Sequence, residues 1–238
     1  MGPIAMVATI LMWILLQGAG WAMIWLPHVP EGFSHDPGVD PNRYQAWAEA
    51  AYISLVTLAT LGFGDVVAVD PVLRVLSPLQ GLTGFALLTA ALTWFMQIHP
   101  PLSRRRAAAL RLHGLRAAGY ADRAAELPAW SMSQAVAGLA AELGTIGIDL
   151  KHYVETYFFH EDARPLSLAE QLHVALDLHR AAAEQPDPGV RAAAVELGAA
   201  LDEITAQLRE FVDGQTLPDV VAAYTSDHRQ SAGSGQLR

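Results

Sequence analysis

Two long apolar runs dominate the first hundred residues. Ile4 to Leu26 contains no charged residue, and neither does Val75 to Ile98. At about 1.5 Å rise per residue, each is long enough to cross a hydrocarbon layer of about 30 Å as a helix. Between them, residues 46–58 also read as helical, but about three turns are too short to cross. After Ser103 the pattern changes. Apolar residues recur at three- and four-residue spacing over 103–118, 131–160, 166–185 and 188–213. Pro128, Pro165 and the Pro186-Asp187-Pro188-Gly189 stretch interrupt them. Ser131 and Ser167 stand where N-caps are expected, and Ser131-Met132-Ser133-Gln134 has the spacing of a capping box. The pattern predicts a membrane part over 1–100, with an outer helix 4–26, a short helix 46–58 and an inner helix 75–98. A helical domain follows over 101–225, and 226–238 reads as a disordered tail.

Charge orients this plan. Arg104, Arg105 and Arg106 follow the second run, with Arg111 and Arg116 beyond them, which puts that end in the cytoplasm. Glu31, Asp36 and Asp40 against Arg43 suit the outer face. Two spans then leave both termini cytoplasmic. The first run is longer than the apolar core of a signal peptide and has no basic residue before it. The chain has 238 residues and a formal net charge of -9, which argues against nucleic acid as a partner. It has no cysteine, which excludes disulfides and thiolate metal sites.

The segment between the spans carries the chemistry. A short helix at membrane depth, followed by Thr60-Leu61-Gly62-Phe63-Gly64-Asp65, reads as a re-entrant pore loop. Irregular backbone is tolerated there only when it is buried in protein or lines a water-filled path. A cation that sheds water needs replacement oxygens, and rings of backbone carbonyls supply them. Aiming successive carbonyls at one axis requires ordinary and left-handed dihedrals in alternation, which glycine adopts without steric cost. That accounts for Gly62 and Gly64. Thr60 adds a hydroxyl at the inner end, and Asp65 adds negative field at the outer mouth. The side chains of Leu61 and Phe63 are expected to pack behind the filter. The preceding helix directs its partly negative end toward the ion path.

Thr-Leu-Gly-Phe-Gly-Asp at 60–65 resembles the potassium-channel signature Thr-Val-Gly-Tyr-Gly-Asp. Gly81-Leu82-Thr83-Gly84-Phe85-Ala86-Leu87-Leu88-Thr89-Ala90-Ala91-Leu92-Thr93-Trp94-Phe95 resembles the inner helix of the small two-span bacterial channels. The resemblance covers about residues 4–98. It implies an all-α membrane protein with two transmembrane helices and a re-entrant pore helix; it does not extend into the following part, where the helical pattern predicts an all-α cytoplasmic domain. It further implies a homotetramer in a bacterial inner (plasma) membrane. Potassium ions are coordinated by the carbonyls of Thr60, Leu61, Gly62 and Phe63, and no organic cofactor is implied. The gating hinge is Gly84 on one alignment and Gly81 on another. Thr89, Leu92, Thr93 and Phe95 are candidate pore liners, with Phe95 or Met96 at the inner constriction. Some bacterial relatives carry further spans before this unit, whereas here Met1 lies almost directly at the first span. Three departures stand out. Phe63 lacks the tyrosine hydroxyl. Val56 stands where many relatives carry an acid that bridges to the filter aspartate. Tyr52 and Ile53 replace the usual tryptophan pair.

The soluble part carries none of the usual sensing domains. Alternating strands, a Gly-rich nucleotide turn and arginines spaced by three on a membrane helix are all missing. His152 and His160, near several acids, are candidates for pH or metal sensing, against the simpler reading of solvated helix faces. No spacing matches a zinc motif. Arg104, Arg105 and Arg106 suit anionic lipid head groups as well as topology. No nucleophile–base pair stands out, so no enzymatic activity is expected. The competing readings are a non-selective cation channel of the same fold and a non-conducting sensor or scaffold.

Overall fold

A computed structural model describes residues 2–234. It divides into two compact units, one over Ile4–Met96 and one from Gln97 onward. The first holds α1 (Gly2–Trp25), β1 (Phe33–His35), α2 (Ala46–Leu58) and β2 (Val66–Ala68), and α3 begins in it. α1 and α3 are the two helices long and apolar enough to cross a membrane. Their surfaces are largely uncovered within the chain, as lipid or neighbouring copies would require. The core gathers Trp25, Phe33, Ala50, Ile53, Ala68 and Leu73, with Trp25 stacked on Trp21 and edge-on to Phe33.

A buried polar network ties the three helices. The Trp25 indole N–H donates to Gln80 Oε1 at 2.8 Å. Gln80 Nε2 donates to the Ser54 carbonyl at 2.9 Å and to Ser54 Oγ at 3.0 Å. The Ser54 hydroxyl donates to the Gly18 carbonyl at 2.7 Å. Trp25, Ser54 and Gln80 are fully buried, so each of these bonds avoids the cost of an unpaired polar group.

α3 runs over Pro71–Ala117 as one helix, so the expected inner helix at 75–98 and the segment at 103–118 are a single element. Pro100 and Pro101 lie inside it. Neither has an N–H to give the carbonyls of Met96 and Gln97, and these are the two residues at which the compact units divide.

The second unit packs α4 (Ala129–His152), α5 (Leu168–Ala183), α6 (Pro188–Leu208) and α7 (Leu217–Ser234) on the last turns of α3. Leu139, Leu143 and Ile146 of α4 meet Leu197, Leu201 and Ile204 of α6 in the buried core, at the spacing of amphipathic helices. Ser167 caps α5 by accepting from the Glu170 N–H, and Asp187 caps α6 by accepting from Gly189 and Val190. The expected cap at Ser131 does not form. α4 begins two residues earlier, behind Pro128, and Ser131 Oγ lies 3.1 Å from the Tyr120 hydroxyl instead. The predicted helix over 131–160 stops at His152. A 3-10 turn over Val154–Phe158 then turns Tyr157 inward, where its ring stacks on Phe211 and its hydroxyl donates to Asp227. The residues read as a tail are helical through Ser234. Thr225 and Arg229 fasten α7 to the Ala169 carbonyl and to Glu170. Residues 235–238 of that tail lie outside the described residues. The all-α expectation also omitted the β1–β2 pair.

The three consecutive arginines of α3 are committed to this unit. Arg104 forms a bidentate pair with Asp149 at 2.7 Å. Arg105 is buried and donates to the carbonyls of Thr156 and Phe159 and to the Tyr224 hydroxyl. Arg106 pairs with Glu161 at 2.6 Å.

Candidate functional site

The loop after α2 is built by a helix cap. The Thr60 N–H donates to the Thr57 carbonyl and the Leu61 N–H to the Val56 carbonyl, each at 3.0 Å. This is the Schellman arrangement, and it requires a left-handed residue just past the helix end. Thr60 fills that place with φ +55°, where glycine is the usual occupant. Gly62 and Gly64 follow with φ +51° and +81°. Left-handed backbone thus recurs at every second residue across 60–64. Among the described residues Thr60 is the one non-glycine with positive φ.

The end of the loop at Asp65 is held three ways. β1 and β2 are antiparallel, with His35 opposite Val66, and the Asp36 N–H extends the pairing to the Asp65 carbonyl at 2.8 Å. The Tyr52 hydroxyl donates to Asp65 Oδ2 at 2.5 Å. His35 Nε2 contacts Glu49 Oε1, joining β1 to the first turn of α2, and both side chains are buried. Tyr52 lies one helical turn before Val56. It supplies the contact to Asp65 that the apolar Val56 cannot make. A cavity of about 310 Å³ behind the loop is lined by Tyr44, Glu49, Tyr52 and Asp65.

The two candidate hinge glycines differ in kind. A Cβ on Gly84 would lie 1.9 Å from the Leu58 carbonyl oxygen, so α3 touches the last turn of α2 there. A Cβ on Gly81 would meet only the Thr57 oxygen, at 3.9 Å. Gly84 is a close-packing position. The candidate pore liners Thr89, Leu92, Thr93 and Phe95 are all exposed within the chain. At about 100° per residue, Thr89, Leu92, Thr93 and Met96 share one helix face, and Phe95 is turned off it. Leu61 and Phe63 do not pack behind the loop within one copy; they are 58% and 66% exposed. His152 binds back to the Ile148 carbonyl near the helix end, whereas His160 stacks on His228. No group of three or more metal-ligating side chains occurs among the described residues.

Sequence reasoning missed His35, Glu49, Ser54 and Gln80. The signal was present: Glu49 is the one acid in an otherwise apolar short helix, and Gln80 is a strongly polar residue near the start of the second span.

Two apolar helices of membrane-crossing length flank a short helix whose capped end opens into an alternating loop. Residues 9–99 match a family model described as an ion channel. No curated protein and no solved structure matches the chain.

Proposed function

We propose that this chain is one subunit of a potassium-selective channel. Four copies surround an axis, and ions pass between carbonyls of Thr60, Leu61, Gly62 and Phe63. The observation that carries this reading is the left-handed backbone at Thr60, Gly62 and Gly64, in register with the signature-like hexad. Such alternation turns successive peptide oxygens toward one side, where they replace an ion's water. One chain contributes one loop, and cyclic symmetry closes the ring. The exposure of Leu61 and Phe63 supports this, since large apolar side chains beside an ion path need cover from adjoining copies.

Asp65 sets a negative field at the outer mouth, braced by Tyr52. Thr89, Leu92, Thr93 and Met96 face the inner path, with Met96 at the constriction. The membrane is a bacterial inner membrane, with the arginine end of α3 and both termini in the cytoplasm. Anionic head groups meet the outward faces of Arg104 and Arg106, whose side chains stay 44% and 48% exposed. The test is reconstitution in planar bilayers. The reversal potential should follow the potassium gradient when sodium is on the opposing side, and Gly62→Ala should abolish flux while leaving assembly intact. Equal permeation of sodium would sink the selectivity, and flux unaffected by Gly62→Ala would sink the filter assignment.

A further inference from the structure

Two histidines that ion conduction leaves unused meet inside the helical unit. His160 follows the 3-10 turn Val154–Phe158, and His228 lies on α7. Their rings stack with centroids 4.3 Å apart and planes 23° apart. His228 Nε2 reaches the Tyr157 carbonyl at 3.1 Å, and His160 Nδ1 reaches the Phe158 carbonyl at 3.2 Å. A carbonyl only accepts, so those two nitrogens carry the ring protons. His228 Nδ1 and His160 Nε2 are then bare lone pairs. Both atoms are buried, with no hydrogen-bond partner among the described residues.

The geometry selects the ligand. A metal ion needs lone pairs that converge on one point in the ring planes. Two nearly parallel stacked rings hold theirs in separate planes. A proton needs only one lone pair. Among the described residues the charges facing the pair come from three elements, and the charge of the N-terminal amine acts on His160 as well. α3 supplies Arg105, buried and bonded to Thr156, Phe159 and Tyr224. α7 supplies Tyr224 and Asp227. Asp227 Oδ2 lies 3.8 Å from His228 Nδ1, yet that oxygen already accepts a hydrogen bond from the Tyr157 hydroxyl at 2.7 Å. The segment of His160 supplies Tyr157 and Asp162, while Glu161 is held by Arg106. A first added proton therefore enters beside a buried cation, and a second enters beside the first.

We propose that His160 and His228 form a proton-operated latch: the neutral stacked pair holds α7 against the unit, and protonation loosens it. Burial is the main cause that pushes His228 down to about 4, with His160 and Arg105 adding and Asp227 opposing. Burial likewise lowers His160, with the N-terminal amine and Arg105 adding and Asp227 and Asp162 opposing. A base that is weaker when docked binds its proton better when released, where histidine titrates near ~6.5. Docking is therefore complete above about pH 6.5 and weakens as pH falls toward 4. At pH 5, His228 alone shifts the equilibrium about thirtyfold toward release. Arg229–Glu170 and Thr225–Ala169 also hold α7, so the core of α4–α6 stays folded.

Hydrogen exchange of the full chain in detergent micelles tests the latch, with rates corrected for the intrinsic effect of pH. Between pH 7.5 and pH 5, amides of α7 should lose about thirtyfold in protection, and those of α4 and α6 should not. In the His160→Phe/His228→Phe variant, α7 should respond no more than α4 does. Unchanged protection in the native chain, or an equal response in the variant, would overturn the proposal. Should that variant fail to fold, ring resonances of the native chain decide it: His228 titrating well below 6.5 supports the latch, and titration near 6.5 overturns it. Saturable zinc binding at pH 7.5 that vanishes without the two rings would also overturn the proton as ligand. None of these readouts depends on ion flux.

Discussion

Gly84 presses its α-carbon so close to Leu58 that a single added methyl would sit 1.9 Å from the Leu58 carbonyl oxygen. The last turn of α2, which launches the candidate filter, therefore rests directly on α3. Gly84→Ala has to push backbone from backbone, and overpacking of this kind costs about 1–3 kcal/mol. Gly81→Ala meets only ordinary contact. The expected result is a marked loss of assembled protein and thermal stability for Gly84→Ala, with Gly81→Ala close to native. Size-exclusion profiles and unfolding in micelles measure both. Equal behaviour of the two would remove the packing role.

Tyr52→Phe removes the hydroxyl that holds Asp65 and leaves the ring in place. The bond is exposed, so solvent screening leaves it only a small contribution to overall stability. The expected effect is on the loop rather than on the fold: shorter conducting periods in single-channel records, with unfolding little changed. Adding Val56→Glu to that variant should restore the brace from the next turn of α2.

Gln80→Leu strands the Trp25 indole N–H within apolar surroundings. The cost of a buried donor left unpaired is about 1–3 kcal/mol. Thermal unfolding in micelles should fall accordingly. Ser54→Ala removes a second member of the same network, so the double variant should lose less than the sum of the two.

Acid should act on α7 a second time below the range of the histidine latch. The Arg229 hydrogen bonds, opposed by partial burial, hold Glu170 below its ordinary value near 4.5. A carboxyl with a lowered folded value stabilises above about 4.5 and loses that contribution as pH falls through the folded value. Glu170→Gln should abolish this lower acid step in α7 exchange and leave the step between about 6.5 and 4 in place. Persistence of the lower step in Glu170→Gln would count against the ion pair as its origin.

The helices were legible where one force dominated. Uncharged runs of spanning length gave α1 and the membrane part of α3, and the spacing of apolar residues gave α4 to α6. The misreadings have local causes. The end of the apolar run stopped the inner helix at 98, yet α3 passes on through Pro100 and Pro101 because its later turns are buried against the helical unit. Tyr157 found partners in Phe211 and Asp227, far along the chain, which cut short a helix that spacing alone extended to 160. His228 and Arg229 look like tail residues until their contacts with Tyr157 and Glu170 are known. In the candidate site, Gly62 and Gly64 announced their conformations. Thr60 did not, because its left-handed backbone is imposed by the cap of α2. Tyr52 was visible only as a departure from a pattern, and its reach to Asp65 is a matter of three dimensions.

The arginines of α3 have a consequence for how the chain is made. Arg104 and Arg106 leave the ribosome well before Asp149 and Glu161, their partners in the finished fold. During insertion they are bare cations, available to orient the second span. Only later does the helical unit fold and neutralise them, since synthesis proceeds from the N-terminus. In the proposed topology Arg104 and Arg106 thus serve first as an address for the membrane and afterwards as rivets, and the order of the sequence keeps the two jobs from competing.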